Sequence, residues 1–265
     1  MKLTNQDQNR QAMKRVNAKK GEIEFERRAA VQQAQTRIDF DPLVRDDKWW
    51  KWRTGLVDSW LFPSSEDIVL DVGAASCEMS EFLASKGCHV VALDISSAML
   101  LISKKRTGKR RSGYSLEHVT GDCERLPFRD GKFDKILCLE TLHHLPYMQG
   151  ALREISRCLR KGGTCLICNE PNNLDIFRKV VCEWSWKGSN LERSCSAFKL
   201  RSYLAAAGLK IIKMGYSQGE AVRNSPWTRH RSALKDWLAR NVYRTLGDTK
   251  PFSYLFGNIT ISCQK

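Results

Sequence analysis

From Asp67 onward the chain alternates strand and helix signals, and that alternation limits its fold more than any other feature. Short apolar runs at Ile68–Val72, Cys88–Leu93, Leu116–Thr120, Asp134–Leu139 and Thr164–Asn169 read as strands. Between them, Cys77–Lys86, Ser97–Lys104 and Gly150–Leu159 read as helices, the last with apolar residues at helical spacing and stopped by the Gly162-Gly163 pair. Strands separated by helices in this way pair in parallel, because each crossover returns over the face of the sheet. The expected body is therefore a mostly parallel sheet with helices on both faces. The tail adds a helix over Phe198–Ala207 stopped by Gly208, a strand at Leu209–Met214, a helical stretch around Arg231–Tyr243 and a closing apolar strand at Gly257–Cys263.

The flanks differ from this body. Residues 1–45 form a polar, basic arm rich in Gln, Lys and Arg. Ala12, Met13, Val16, Ala18, Ile23, Phe25, Ala29 and Val31 give it only a broken apolar stripe, so it reads either as one or two helices, partly mobile and folded over the active site, or as a solvated tail. Asp41-Pro42 marks a turn. Trp49, Trp50, Trp52 and Trp60, interleaved with Lys48, Lys51 and Arg53, then read as an amphipathic helix packed on the body. The same interleaving can stack on nucleic acid, the less favoured reading.

The 265 residues carry 44 Lys and Arg against 29 acidic residues, a formal charge of +15. Such a charge concentrates anionic partners without choosing among nucleic acid, anionic lipid and phosphorylated small molecules. The run Lys104–Arg111 holds six basic residues in eight and reads first as a solvated patch. The ten cysteines read as reduced, several of them as small hydrophobes in buried strands. Cys165 and Cys168, the one CxxC pair, point to opposite faces of their strand, and no metal site is expected. With no apolar leader run and no apolar span of about 20 residues, a cytoplasmic location is expected.

Three segments carry chemistry. The first, Ile68–Cys77, is an apolar strand that ends in Asp71, turns at Gly73 and enters a helix. Free N–H groups and the helix dipole at such a turn attract an anionic group. Ala75 stands where a dinucleotide fingerprint needs its second glycine, so a pyrophosphate is disfavoured and a smaller anion, such as an amino-acid carboxylate, fits better. The second is Val90–Ser96, where Asp94 ends a strand 23 residues after Asp71 and can accept both hydroxyls of a ribose. The third, Gly121–Leu145, places Asp122 after a strand and His143 and His144 just beyond the next one, at the carboxyl edge where open α/β sheets bind ligands.

In this order, and with LREISRCLRKGG at Leu152–Gly163, the segments resemble the class I S-adenosylmethionine-dependent methyltransferases, in particular the type 11 group. The likeness runs through four ordered motifs over about 105 residues, and FKLRSYLAAAGLKII and NITISCQK resemble the family's last helix and strands six and seven. It implies a Rossmann-like three-layer α/β/α sandwich, a seven-stranded sheet with the last strand antiparallel, and a domain over residues 46–265. Insertions near 173–196 and 216–254 would cover the acceptor. S-adenosylmethionine is the implied cofactor. Asp71, Gly73, Ala74 and Ala75 would surround its methionine part, with Leu139 lining that side. Asp94 would hold the ribose and Ile95 the adenine face. Asp122 would take the adenine amine, and Cys123 would add backbone contacts. Ala75 and Cys77 depart from the family's glycines.

Methyl transfer from a sulfonium needs alignment above all, and a base where the acceptor must lose a proton. His143 is the first candidate base, His144 the second, and Glu140 a cleft-lining third. Trp184, Trp186 and Lys187, with Trp227, Arg229 and His230, are expected to shape an acceptor pocket. The expected acceptor is a small-molecule or lipid-like compound methylated at oxygen or nitrogen. A nucleic acid or other polyanion is the alternative acceptor, a non-catalytic relative of the fold is a further alternative, and contact with an anionic membrane surface stays open.

Overall fold

The structure is a computed structural model that describes residues 5–39, 41–110, 113–171, 195–217 and 258–265. The expected helix around Arg231–Tyr243, Cys182, and the six residues named above as shaping an acceptor pocket lie outside the described residues.

The strands are β1 (Ile68–Val72), β2 (His89–Asp94), β3 (Leu116–Thr120), β4 (Phe133–Leu139), β5 (Leu159–Pro171), β6 (Lys210–Ser217) and β7 (Asn258–Gln264). They form one sheet in the order β3-β2-β1-β4-β5-β7-β6. Every pairing is parallel except those of β7, which runs antiparallel to both β5 and β6. This is the seven-stranded Rossmann-like sheet that the motif order implied. Strand order reverses between β1 and β4, so their carboxyl ends open a crevice.

Side-chain alternation builds the two cores. Leu70, Val72, Ile136, Cys138, Cys165 and Ile167 face one side, where they meet Leu152, Ile155 and Cys158 of α5 (Met148–Cys158) and Leu200 and Leu204 of α6 (Ala197–Ala206). Val69, Leu137, Leu166 and Cys168 face the other, against Met79 and Leu83 of α3 (Glu78–Ser85) and Trp50 of α2 (Lys48–Leu56). Leu100 of α4 (Ser97–Arg110) joins that second layer through Ala92 and Cys77. Cys165 and Cys168 thus lie on opposite faces, as a period of two requires. The nine described cysteines are all buried free thiols.

Asp47 starts α2 by accepting from the Trp50 backbone N–H at 3.0 Å. The tryptophans then divide the work of docking. Trp50 is buried edge-on to Phe82 with ring centroids 6.2 Å apart, while Trp49 lies under the Arg53 guanidinium at 3.4 Å.

One boundary differs from expectation. Gly162-Gly163 does not stop α5, which already ends at Cys158; Leu159 is extended and pairs with Phe133. The next pair in register is Lys135 with Thr164, so the glycines sit in a bulge inside β5. Gly163 packs so closely that a Cβ there would come within 2.8 Å of the Asp134 carbonyl. Gly163 serves a close backbone approach in the sheet and Gly162 supplies a left-handed turn of the bulge with φ of 75°, where a C-cap was expected.

The arm is a single helix, α1 (Asn5–Asp39). Its Gln, Lys, Arg, Ala and Glu residues favour helix, and Glu24 bonds both Arg27 and Arg28 one turn on. It packs on α4 through Ala29 and Ala30 against Met99 and Ile102. Several of its larger apolar residues point outward: Met13 and Val31 are 63% and 71% exposed.

Candidate cofactor and acceptor site

At the β1–β4 crevice lies a cleft of about 720 Å³, its open mouth included. Its floor is the ends of β1, β2 and β3. Gly73 and Ala75 come from the turn after β1, Leu93, Asp94 and Ile95 from the end of β2, and Gly121, Asp122 and Cys123 from the turn after β3. Six of the nine residues expected at the cofactor thus line one cavity. Asp71, Ala74 and Leu139 do not: Asp71 sits beneath the turn, Ala74 packs toward Cys77 and Ala92, and Leu139 packs toward the α2 side of the sheet.

The turn itself is unusual. Gly73, Ala75 and Cys77 have φ of 74°, 46° and 59°. Gly73 has no alternative, since a Cβ there would lie 2.3 Å from the Thr141 hydroxyl oxygen. Ala75 and Cys77 take left-handed geometry without being glycine, at a cost of roughly 1–2 kcal/mol each. Glu140 and Asn169, beyond β4 and within β5 at the same edge of the sheet, also have positive φ, 53° and 62°. Backbone strain of this kind collects at sites that a surrounding structure holds in place.

The carboxylates differ in their surroundings. Asp94 is 8% exposed and accepts from the Ala75 N–H (2.8 Å) and the Ser96 N–H (2.7 Å), one on each oxygen, leaving lone pairs toward the cleft. Burial nonetheless pushes its carboxyl upward. Asp71 is wholly enclosed, accepts from the Ser80 hydroxyl at 2.6 Å, and is raised by burial to about 6. Asp122 meets the ammonium of Lys19 from α1 at 2.5 Å, and the same ammonium reaches Glu124 at 2.6 Å.

The far wall holds Glu140, Thr141, His144, Leu145 and Pro146. His144 and not His143 faces the cleft. His143 is held by Glu170, whose carboxylate accepts from the backbone N–H groups of Thr141, Leu142 and His143 and lies 2.9 Å from His143 Nδ1. One buried carboxylate thus caps the short 3₁₀ turn Leu142–His144 and turns the first ring away. His144 is neutral: burial, then the neighbouring His143 ring, lowers it to about 3. Its Nδ1 lies 3.3 Å from Glu22, a close approach without hydrogen-bond geometry. Burial outweighs that nearby carboxylate, so the contact is not an ion pair. Glu140 is itself engaged by Arg53 and Asn169, and Asn258 donates to Asn169 at 2.6 Å.

The roof is α1. Arg15 stacks on Tyr147 at 4.3 Å, Lys19 holds Asp122, and Glu22 and Glu26 line the cleft. These four residues are spaced 4, 3 and 4 apart, one face of a helix. Sequence reasoning missed them because it looked for an apolar stripe; the signal was a charged one. Arg53 was likewise read only as part of the Trp-rich helix.

The enclosed floor suits an adenosine-bearing cofactor: a turn without long side chains, a buried carboxylate at the end of β2 that can accept from a diol, and a second carboxylate after β3.

Residues 70–167 match the family model described as "Methyltransferase domain". The ubiquinone/menaquinone biosynthesis C-methyltransferase UbiE of Bartonella quintana is 32% identical over 142 residues, covering 51% of this chain and 54% of that protein. The chain thus spans about half the length of the curated relatives it matches. The [4+2]-cyclase SpnF superposes with a TM-score of 0.64 at 19% identity over 86% of this chain and 85% of that one. Geranyl diphosphate C-methyltransferase from Streptomyces coelicolor A3(2), solved with Mg2+, geranyl diphosphate and S-adenosyl-L-homocysteine, gives 0.62 at 14% identity over 81% and 78%. A cyclase on the same fold shows that architecture alone does not choose the reaction. The family match, the sheet order and the cleft together identify residues 70–167 as a methyltransferase domain of the type 11 group of class I S-adenosylmethionine-dependent methyltransferases.

Proposed function

We propose that the chain transfers a methyl group from S-adenosylmethionine to a small-molecule or lipid-like acceptor. The observation that carries this is the cleft at the strand-order switch, with Asp94 on its floor and α1 across its roof. S-adenosylmethionine supplies a methyl group already activated on sulfonium. Asp94 accepts from the ribose hydroxyls, with Ile95 against the adenine. Asp122 accepts from the adenine amine once Lys19 yields it, and the Gly73–Ala75 turn receives the methionine end. Asp71, buried beneath that turn, shapes it from below.

On the acceptor side, His144 is the base. It is the imidazole on the cleft wall, and burial holds it neutral and near 3, too weak a base at rest. The Glu22 carboxylate beside it and the charge that develops as the acceptor attacks raise its proton affinity in the reacting complex. His143 serves the turn that presents it. The acceptor atom is an oxygen, a nitrogen or a carbon activated by a neighbouring group. The C-methyltransferase names of the Bartonella relative and the Streptomyces structure favour carbon. With Asp122 paired to Lys19 and Glu140 to Arg53, Asp94 and the roof's Glu22 and Glu26 leave the cleft more acidic than the chain's net charge of +15 implies, which disfavours a polyanion such as RNA there.

The test is a transfer assay with labelled cofactor against separate pools of quinones and phenols, prenylated lipids, amines and RNA. Label is expected in a small-molecule or lipid pool and not in RNA; label confined to RNA overturns the acceptor assignment. Asp94→Ala is expected to weaken cofactor binding by at least about tenfold in calorimetry, and full affinity in that variant removes Asp94 from the ribose role. Absence of binding by the unaltered protein at millimolar cofactor would sink the enzyme reading.

A further inference from the structure

The Gly73–Cys77 turn keeps three alternating left-handed residues while only the first is glycine. Nothing in its own sequence favours that path at Ala75 and Cys77, so the path has to be imposed from outside. Strand β2 reaches it at Gly73 and Ala74, which donate to the Leu93 carbonyl, and at Ala75, which donates to Asp94. Between the two strained positions it is reached by Arg106 of α4, which is 1% exposed. Its guanidinium donates to the Ser76 carbonyl at 2.5 Å, and Ser76 is the residue between the two strained positions. The same guanidinium meets the carboxylate of Glu81 in α3, also 1% exposed, through Nε at 2.9 and 3.1 Å and through a terminal nitrogen at 2.5 Å. Ser103 donates to Glu81 at 3.0 Å and lies 3.0 Å from His118 Nε2.

We infer that Arg106, oriented by Glu81, is a positioning residue that holds the Gly73–Cys77 turn in its cradle shape in place of the missing glycines. The inference rests on reading that turn as the cofactor cradle. Tying α3 to α4 does not by itself require charge, since a buried ion pair is often replaceable by apolar residues at little loss of stability. An apolar pair cannot donate to the Ser76 carbonyl. The forked guanidinium can serve carboxylate and carbonyl together, which a lysine ammonium cannot match in geometry. The clamp also connects the two groups that face the ribose and the methionine end. The Ala75 N–H that donates to Asp94 lies one residue before the clamped carbonyl, and α4 starts three residues after Asp94. Loosening Arg106 therefore shifts the turn and its register with Asp94 without touching the acceptor wall.

The experiment measures S-adenosylhomocysteine affinity by calorimetry, thermal stability, and the KM for S-adenosylmethionine against kcat, in the full chain. Arg106→Met is expected to raise the dissociation constant and KM about tenfold or more while kcat falls by less than about threefold. Ala75→Gly is then added, because glycine adopts the left-handed path without strain. It is expected to recover affinity at least roughly threefold more in the Arg106→Met background than in the unaltered chain. Equal effects of Ala75→Gly in both backgrounds overturn the clamp, as does unchanged affinity in a folded Arg106→Met protein. If Arg106→Met does not fold, Arg106→Lys keeps the charge beside Glu81 and is expected to lose roughly threefold or more in affinity; full affinity there overturns the inference too. Failure of the unaltered chain to bind S-adenosylhomocysteine at all instead removes the cofactor reading on which the clamp rests.

Discussion

Helices α1 and α5 are held to the same molecule by opposite means. α5 buries Ala151, Leu152, Ile155 and Cys158 against the sheet, and each is fully enclosed. Its attachment is the ordinary one, apolar area removed from water at about 25 cal/mol per Å². α1 turns a charged stripe inward and leaves Met13, Val16, Ile23 and Val31 in solvent. Beyond the packing of Ala29 and Ala30 on Met99 and Ile102 of α4, it is attached by Lys19, Arg15 and the carboxylates over the cleft. The difference separates stability from access. α5 belongs to what must stay folded, whereas α1 closes a cavity through contacts that salt and a bound ligand can exchange.

Core truncation tests the first half of the comparison and carries the largest effect. Leu152→Ala or Ile155→Ala is expected to cost about 2–5 kcal/mol of unfolding free energy in urea titrations. A loss below about 1 kcal/mol would mean that α5 is no better anchored than α1.

The next effect is acid sensitivity, and it belongs to the roof. His144 is held near 3 by burial under α1, while an unfolded chain takes up that proton near 6.5. Between those values the unfolded state binds the extra proton, so this group's contribution to stability rises with pH and is lost as pH falls from about 6.5 toward 3. Proton NMR should find His144 titrating far below the usual range in the full chain and returning toward 6.5 in a chain lacking residues 1–39. An unchanged low value in the shortened chain would show that the body alone buries the ring. Asp71 acts in the opposite sense. Raised to about 6 from 3.8, it takes up its proton in the folded state first, so its contribution falls as pH rises from about 4 to 6. Asp71→Asn should remove that decline in a stability-versus-pH series.

A smaller effect is expected at Lys19. Lys19→Ala should change global stability by about 1 kcal/mol or less, because the pair is partly solvated. It should also speed cofactor association, since Asp122 no longer has to be released. Stopped-flow association rates that rise with salt in the unaltered chain and not in the variant fit this picture; equal rates in both would remove Lys19 as a competitor for Asp122. The smallest effect is at Glu22, 3.3 Å from the His144 ring. Glu22→Gln should shift the acid limb of the kcat profile to lower pH, because a neighbouring carboxylate favours the imidazolium.

The sheet was legible because each strand signals its own burial. Val69, Leu70 and Val72 are apolar since both faces of β1 are covered, and Asp94 stands out because a carboxylate ends such a run. The GG pair was misread because a glycine needed for close approach inside β5 looks the same in sequence as one that stops a helix. The two histidines could not be ranked, because the choice depends on Glu170, 27 residues away, capping one turn.

The succession of strands along the chain, the turn after β1 and the carboxylates at the ends of β2 and β3 were determined by sequence alone, because periodicity and turn chemistry are local. Tertiary structure decided which histidine faces the cleft, where α1 lies, and what holds a turn that lacks two glycines. Those outcomes rest on polar contacts between remote segments, Lys19 with Asp122 across 103 residues and Arg106 with Ser76 across 30. Such pairs leave no period in the chain; only folding brings the partners within reach.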